Sequence, residues 1–219
     1  MRMSKLKILN LYACLGGNRY KWGDEHEITA VELDEEAARL YQERFPNDTV
    51  IVADAHQYLL DHYKEFDFIW SSPPCPSHSR INISQYTRDS WKPRFPDMKL
   101  YEEIIFLDKY FKGKYVVENV IPFYTPLIPA LERNRHLYWT NFHLPKTVSN
   151  RKNPAIGHTK NEVQAFSEFH DYDFTKYKGK QSRVKMARNL VDYEAGKTIL
   201  DTVLGIRIKE NIKQTELFV

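Results

Sequence analysis

Residues 73–76 read Pro-Pro-Cys-Pro and follow an apolar run, Phe66–Trp70. Three prolines fix the backbone around one thiol. A rigid turn at a strand end presents its side chain at a fixed angle, which suits Cys75 to nucleophilic attack as a thiolate. An inert thiol in a proline-rich loop is the competing reading. Glu118-Asn119-Val120 closes a second apolar run. A carboxyl there is expected to be partly desolvated and suited to proton donation, or is a plain surface acid or helix cap. Arg133 and Arg135 flank Asn134 and would share one side of an extended segment. Such a pair fixes a phosphate, a carboxylate or a base carbonyl, or is simply solvated. Nearer the start, Gly16-Gly17 makes a turn that lets backbone approach a ligand closely. Glu32 ends the next strand, where a carboxylate accepts both ribose hydroxyls of a nucleoside-like cofactor. Asp54 ends a third strand and could hold an adenine amino group. The turn lacks the full Gly-x-Gly-x-x-Gly pattern, which argues against NAD or FAD. A glycine turn followed by a strand-end acid also occurs in many unrelated α/β proteins.

These residues need a frame that brings them together across more than 100 positions. Short apolar runs at Lys7–Tyr12, Glu27–Glu32, Val50–Ala53, Phe66–Trp70, Lys114–Asn119 and Leu137–Phe142 read as strands. Helical signals follow Asp34, span Lys99–Phe111 and return over Glu194–Leu204. Strands alternating with helices predict an α/β fold with a mostly parallel, Rossmann-like sheet. Ligands in such sheets bind beyond the carboxyl ends of the strands, where Gly16, Glu32, Asp54, Cys75 and Glu118 would gather.

The 219 residues suffice for one α/β domain with a small appendage. No stretch approaches the roughly 20 apolar residues of a membrane span, and Met1–Lys7 does not lead into a secretory signal. Two cysteines, Cys14 and Cys75, predict neither a disulfide framework nor a metal site and fit a reducing cytoplasm. The net charge of +3 is unevenly spread. Residues 146–188 hold ten Lys/Arg against four Asp/Glu, a balance of +6 that leaves about −3 elsewhere. Such asymmetry suits a polyanion-facing region, or a solvated basic loop. Residues 144–182 are polar, with little hydrophobic periodicity, and read as a loop-rich insertion. A second basic loop, Ser77–Phe95, carries Arg80, Arg88, Lys92 and Arg94 against Asp89.

A thiol, a proton donor, paired guanidiniums and a nucleoside-type pocket compose one reaction. Addition of a thiolate to carbon 6 of cytosine makes carbon 5 nucleophilic, and an acid at ring nitrogen 3 stabilises the adduct. The base must leave a duplex to reach these groups.

The ordered set resembles the DNA (cytosine-5)-methyltransferase family, which depends on S-adenosylmethionine. Asn10-Leu11-Tyr12-Ala13-Cys14-Leu15-Gly16-Gly17 is similar to that family's cofactor loop, with Asn10 and Cys14 standing for aspartate and glycine. Glu32 and Asp54 match the ribose and adenine-side acids, and Leu33 replaces a frequent aromatic. Pro73-Pro74-Cys75 matches the nucleophile motif, with Pro76 in place of glutamine, and Ser79 stands where the family has a serine four residues after that cysteine. Glu118, Arg133 and Arg135 match the next motifs. Arg188-Asn189-Leu190-Val191 is similar to the C-terminal motif whose asparagine, here Asn189, helps close the cofactor pocket.

The resemblance implies catalysis by Cys75, Glu118, Arg133, Arg135 and Ser79. It implies cofactor binding by Asn10, Tyr12, Ala13, Gly16, Gly17, Glu32, Asp54, Pro73 and Asn189. It also implies three parts: a catalytic domain over 1–143, a reduced target-recognition region over 144–182, and a returning segment over 183–219. The implied partner is double-stranded DNA with a flipped cytosine, bound by a cytoplasmic monomer in a setting such as restriction–modification, with or without a partner nuclease. So short a recognition region predicts a target of about two to four base pairs. Binding would lean on phosphate contacts, with Lys176, Lys178, Lys180 and Tyr177 as contributors. An RNA cytosine-5 methyltransferase on the same framework, an amino-methyltransferase and a catalytically silent DNA-binding subunit are the alternatives.

Overall fold

A computed structural model describes residues 5–84, 91–156 and 161–206. Arg88, Asp89, the first four residues and residues 207–219 of the returning segment, all named above, lie outside the described residues. The elements run β1 (Lys7–Leu11), β2 (Glu27–Glu32), α1 (Glu35–Arg44), β3 (Thr49–Val52), α2 (Ala55–His62), β4 (Phe68–Ser71), α3 (Arg80–Ser84), α4 (Lys99–Tyr110) and β5 (Lys114–Val120). They continue with β6 (Leu131–Arg133), β7 (His136–Thr140), α5 (Glu162–His170), α6 (Arg183–Asn189) and α7 (Tyr193–Val203).

The seven strands form one sheet in the order β3-β2-β1-β4-β5-β7-β6. β1 to β5 are mutually parallel, and β7 runs antiparallel to both neighbours. This is the expected mostly parallel, Rossmann-like sheet. β1 and β4 sit centrally with both faces covered, which is why their sequences are unbroken apolar runs. Leu9, Leu11, Ile69 and Val117 pack under α2 and α4 with Leu59, Leu100, Ile104 and Leu107. Ile8, Phe68, Trp70 and Val116 face the opposite way, onto Ala195, Ile199 and Leu200 of α7. The chain leaves β1 toward β2 and β3, then crosses back to β4, so the order reverses between β1 and β4. Crevices for ligands open at such a reversal.

Local chemistry sets the helix starts near that crevice. Asp34 caps α1, its carboxylate accepting from the Glu36 and Ala37 N–H groups, and Asp54 caps α2 through Gln57 N–H. α1 stops at Phe45, ahead of Pro46.

Residues 144–182 are mostly loop around α5 and one short turn at Phe174–Lys176, as expected, but they are less polar in their packing than the sequence suggests. Leu144 and Val148 belong to the core beneath α7. Phe166, Phe174 and Tyr177 pack with Leu15, Ala37, Leu40 and Met186. The apolar residues are spaced too irregularly to show one period, yet they close a cluster against α1. Tyr177, expected to face nucleic acid, is buried, and its hydroxyl donates to Asp34 Oδ2 at 2.6 Å. Lys176, Lys178 and Lys180 are exposed around it. Phe174→Ala should lower the unfolding free energy by about 3–5 kcal/mol in urea titrations. A loss below about 1 kcal/mol would show that this segment stands outside the cooperative core.

Candidate active site

The C-terminal ends of β1, β2, β4 and β5 open into a cleft of about 1340 Å³. Tyr12, Glu32, Asp54, Pro73, Cys75, Ser79, Glu118, Arg135 and Asn189 all line it. The sequence also placed Asn10, Ala13, Gly16, Gly17 and Arg133 in the site, and these five are not among its lining residues.

Each of the five has another employment. Asn10 is fully buried in β1 and exchanges amide hydrogen bonds with Asn18. Ala13 is buried, and its N–H donates to Val31 O at 3.0 Å. Gly16 has a left-handed φ of 71°, and a Cβ there would meet the Phe45 ring at 2.3 Å. A Cβ on Gly17 would lie 2.3 Å from Val191 O. These glycines admit the close approach of Phe45 and Val191, and Gly17 docks the loop after β1 on the segment after Asn189. Arg133 and Arg135 do not share an extended segment. Asn134, with φ of 54°, turns the chain tightly between β6 and β7. Arg133 then spends its guanidinium on Pro145 O at 2.7 Å and Glu132 O at 2.8 Å, while Arg135 is exposed on the cleft wall.

The cofactor half of the cleft centres on Glu32. Its Oε2 accepts from Cys14 N–H and its Oε1 from Asp34 N–H, both at 2.8 Å. One donor on each oxygen leaves further lone pairs for a pair of ligand hydroxyls. Burial, opposed by these N–H donors, raises the Glu32 pKa. Asp54 sits at the neighbouring strand end, 3.6 Å from Lys99 Nζ. Tyr12 and Cys14 adopt left-handed φ values of 56° and 48°, which cost non-glycine residues about 1–3 kcal/mol each. Tethers offset that cost: Cys14 N–H on Glu32, and Tyr12 Oη–H on Glu103 Oε1 at 2.6 Å. The acids, the aromatic Tyr12 and the amide Asn189 fit the ribose, base and polar ends of S-adenosylmethionine.

Glu103 was missed from the sequence. It is buried in α4 and also accepts from Ser71 Oγ at 2.5 Å and contacts His56 Nδ1 at 2.9 Å. One carboxylate thus joins the loop after β1, the end of β4 and the first turn of α2. Its hydrogen bond, foremost, and its charge raise the His56 pKa despite partial burial.

The nucleophile half follows β4. Asn119 Nδ2 donates to Pro73 O at 2.9 Å, locking the proline turn to β5. Cys75 O accepts from the His78 and Ser79 N–H groups at 2.9 and 3.0 Å, coiling the chain behind the thiol. Glu118 is buried at the end of β5. Ser72 Oγ–H donates to its Oε2 at 2.9 Å, and His136 Nε2 lies 3.5 Å from its Oε1. Burial, then the Glu118 charge, pushes the Cys75 thiol up to about 11, while Lys185 on α6 pulls it down.

Carboxamidomethylation of Cys75 should therefore rise about tenfold per pH unit from about pH 7 to about pH 10. Peptide mass spectrometry follows it separately from Cys14. A plateau near pH 8 would contradict this burial. Arg80 and Arg94 from the second basic loop, together with Lys180 and Lys185, complete a cationic rim.

No curated protein matches the chain. Among solved structures, a conserved hypothetical protein of Streptococcus pyogenes is 13% identical, with 63% of this chain and 85% of that one covered at a TM-score of 0.42. A methyltransferase of Agrobacterium tumefaciens, described as SAM-dependent, is 17% identical over 56% and 41%, with a TM-score of 0.41. A DNMT2 variant of Spodoptera frugiperda is 21% identical over 72% and 56%, with a TM-score of 0.41. The family model described as C-5 cytosine-specific DNA methylase matches residues 6–126, which is 121 of the 219 residues and spans the strand ends that carry Glu32, Asp54, Cys75 and Glu118. On that match the chain belongs to the C-5 cytosine-specific DNA methylase family, whose cofactor is S-adenosylmethionine.

Proposed function

We propose that the chain methylates carbon 5 of cytosine in double-stranded DNA, with Cys75 as covalent nucleophile and Glu118 as proton donor. The observation that carries this reading is the shared cleft: Cys75, Glu118 and Arg135 line the same cavity as Glu32, Asp54 and Asn189.

Cys75 Sγ, as thiolate, adds to carbon 6 of a cytosine held in the cleft. The C5=C6 electron pair shifts to C4–C5, the C4=N3 pair moves onto nitrogen 3, and nitrogen 3 takes a proton from Glu118. Arg135 holds the carbonyl or phosphate side of the nucleotide, and Ser79 lies beside the thiol's own turn. The bound cofactor supplies an electrophilic methyl group. Once carbon 5 carries it, nitrogen 3 returns its proton to Glu118. Carbon 5 then loses its proton to solvent, and the thiolate leaves as the C5=C6 bond re-forms. Burial favours the Cys75 thiol over the thiolate, and Lys185 acts in the opposite direction, toward the thiolate that attacks.

We assign 1–143 and 183–219 to the catalytic unit, and 144–182 to a reduced recognition region folded back on α1. Lys176, Lys178 and Lys180 on its surface suit phosphate contacts. Radiolabelled methyl transfer tests the substrate: incorporation into duplex DNA as 5-methylcytosine supports the reading, and incorporation into structured RNA alone replaces DNA with RNA. Glu32→Ala should weaken S-adenosylmethionine binding by about 10-fold to 100-fold, the scale of hydrogen bonds to a charged group. Calorimetry measures this, and unchanged affinity would move the cofactor away from β2.

A further inference from the structure

β5 and β7 are antiparallel, with Glu118 opposite Tyr138 and Val120 opposite His136. These four residues share one face of the sheet, so Glu118 and His136 are diagonal neighbours. His136 Nε2 lies 3.5 Å from Glu118 Oε1, and both residues line the cleft. The other carboxylate oxygen is taken: Trp70 Nε1–H donates to Ser72 Oγ at 2.8 Å, and Ser72 Oγ–H donates to Glu118 Oε2. Ser72 cannot both donate there and receive the Glu118 proton. The imidazole is a third exposed at the cleft mouth, whereas Glu118 is buried.

We propose that His136 is a positioning residue that acts through Glu118, keeping on the Glu118–His136 pair the one proton that nitrogen 3 of the pyrimidine takes up. This rests on the cytosine reading above. The pair carries that proton in the resting site, and closing of Oε1 and Nε2 from 3.5 Å to hydrogen-bond distance lets the two share it. It moves to nitrogen 3 as the sulfur–carbon bond forms, and returns to the pair before the thiolate leaves, so each turnover closes without a net change in the pair. A lone carboxyl loses its proton about two pH units below an imidazole. An imidazole beside the carboxylate gives the site a second group able to hold that proton.

The groups around the pair come from every neighbouring element. The Cys75 thiol, from the turn after β4, feels the Glu118 charge, and Lys185 of α6 acts on that thiol. Tyr138 faces Glu118 from β7 and also feels Asp192, ahead of α7. Arg133 stands opposite His136 on β6 with its guanidinium turned to Pro145 O, and Arg135 occupies the adjoining turn.

The test is the pH profile of single-turnover methyl transfer for the wild type, His136→Gln and His136→Ala. Cys75 titrates in all three, so the ratio of variant to wild-type rate removes its contribution. That ratio should fall by more than about threefold between about pH 6 and about pH 8.5 in both variants, because a lone carboxyl is spent before an imidazole is. S-adenosylmethionine affinity and melting temperature should stay at wild-type values. A ratio constant within about threefold across that range overturns the proposal, whether the constant is near one or far below it, because a structural defect does not follow pH. A wild type that methylates cytosine with a flat ratio rejects this inference alone. A wild type that transfers no methyl group to cytosine rejects the underlying reading and this inference with it.

Discussion

Cys75→Ser should lose methyl transfer by roughly 10⁴-fold or more, the scale seen when a covalent nucleophile is removed. A serine hydroxyl in the same proline turn is a far weaker nucleophile than a thiolate. The substitution exchanges one atom, and Cys75 packs no core cluster, so stability and S-adenosylmethionine affinity should remain. Cys14→Ser separates the two thiols. Cys14 lies beside Glu32, and burial drives its pKa far above that of a free thiol. Its replacement should alter cofactor affinity and leave the chemical step within about threefold. A Cys14→Ser variant as inactive as Cys75→Ser at saturating cofactor would reverse the assignment.

Glu118→Gln should cost roughly 100-fold or more in single-turnover rate, the usual size of a general acid's contribution. The amide keeps the shape and the Ser72 contact but cannot pass a proton to nitrogen 3. Cofactor binding should change little, since Glu118 sits on the nucleophile side of the cleft and Glu32 on the other. A large loss of cofactor affinity with normal turnover at saturation would show that Glu118 serves binding.

Much of this site is legible in the sequence because the fold concentrates it at strand ends. β2 occupies Glu27–Glu32 as the sequence indicates, since its apolar run is bounded by a polar turn and the Asp34 cap. Glu32, Asp54, Cys75 and Glu118 each close such a run, and a parallel sheet brings run ends together. Other features depend on tertiary contacts that no local pattern carries. β6 has three residues and exists through its pairing with β7. The Arg133–Arg135 separation follows from one left-handed residue, Asn134, which a reading of extended chain does not foresee. Gly16 and Gly17 signal close approach, but which group approaches is decided by α1 and the segment after α6. Glu103 is one acid in an amphipathic helix, and its role needs three partners from distant segments. His136 meets Glu118 only through the β5–β7 register.

The central claim is a covalent bond from Cys75 to carbon 6 of cytosine. It is tested most directly by incubating the protein, S-adenosylmethionine and duplex DNA carrying 5-fluorocytosine, then mapping any adduct by peptide mass spectrometry. Fluorine cannot leave carbon 5 as a proton does, so the thiolate stays attached after methyl transfer. The account predicts a denaturation-resistant complex whose modified peptide contains Cys75, absent in Cys75→Ser and present in Cys14→Ser. Methylation of cytosine at carbon 5 without such an adduct, or an adduct on Cys14, would contradict it.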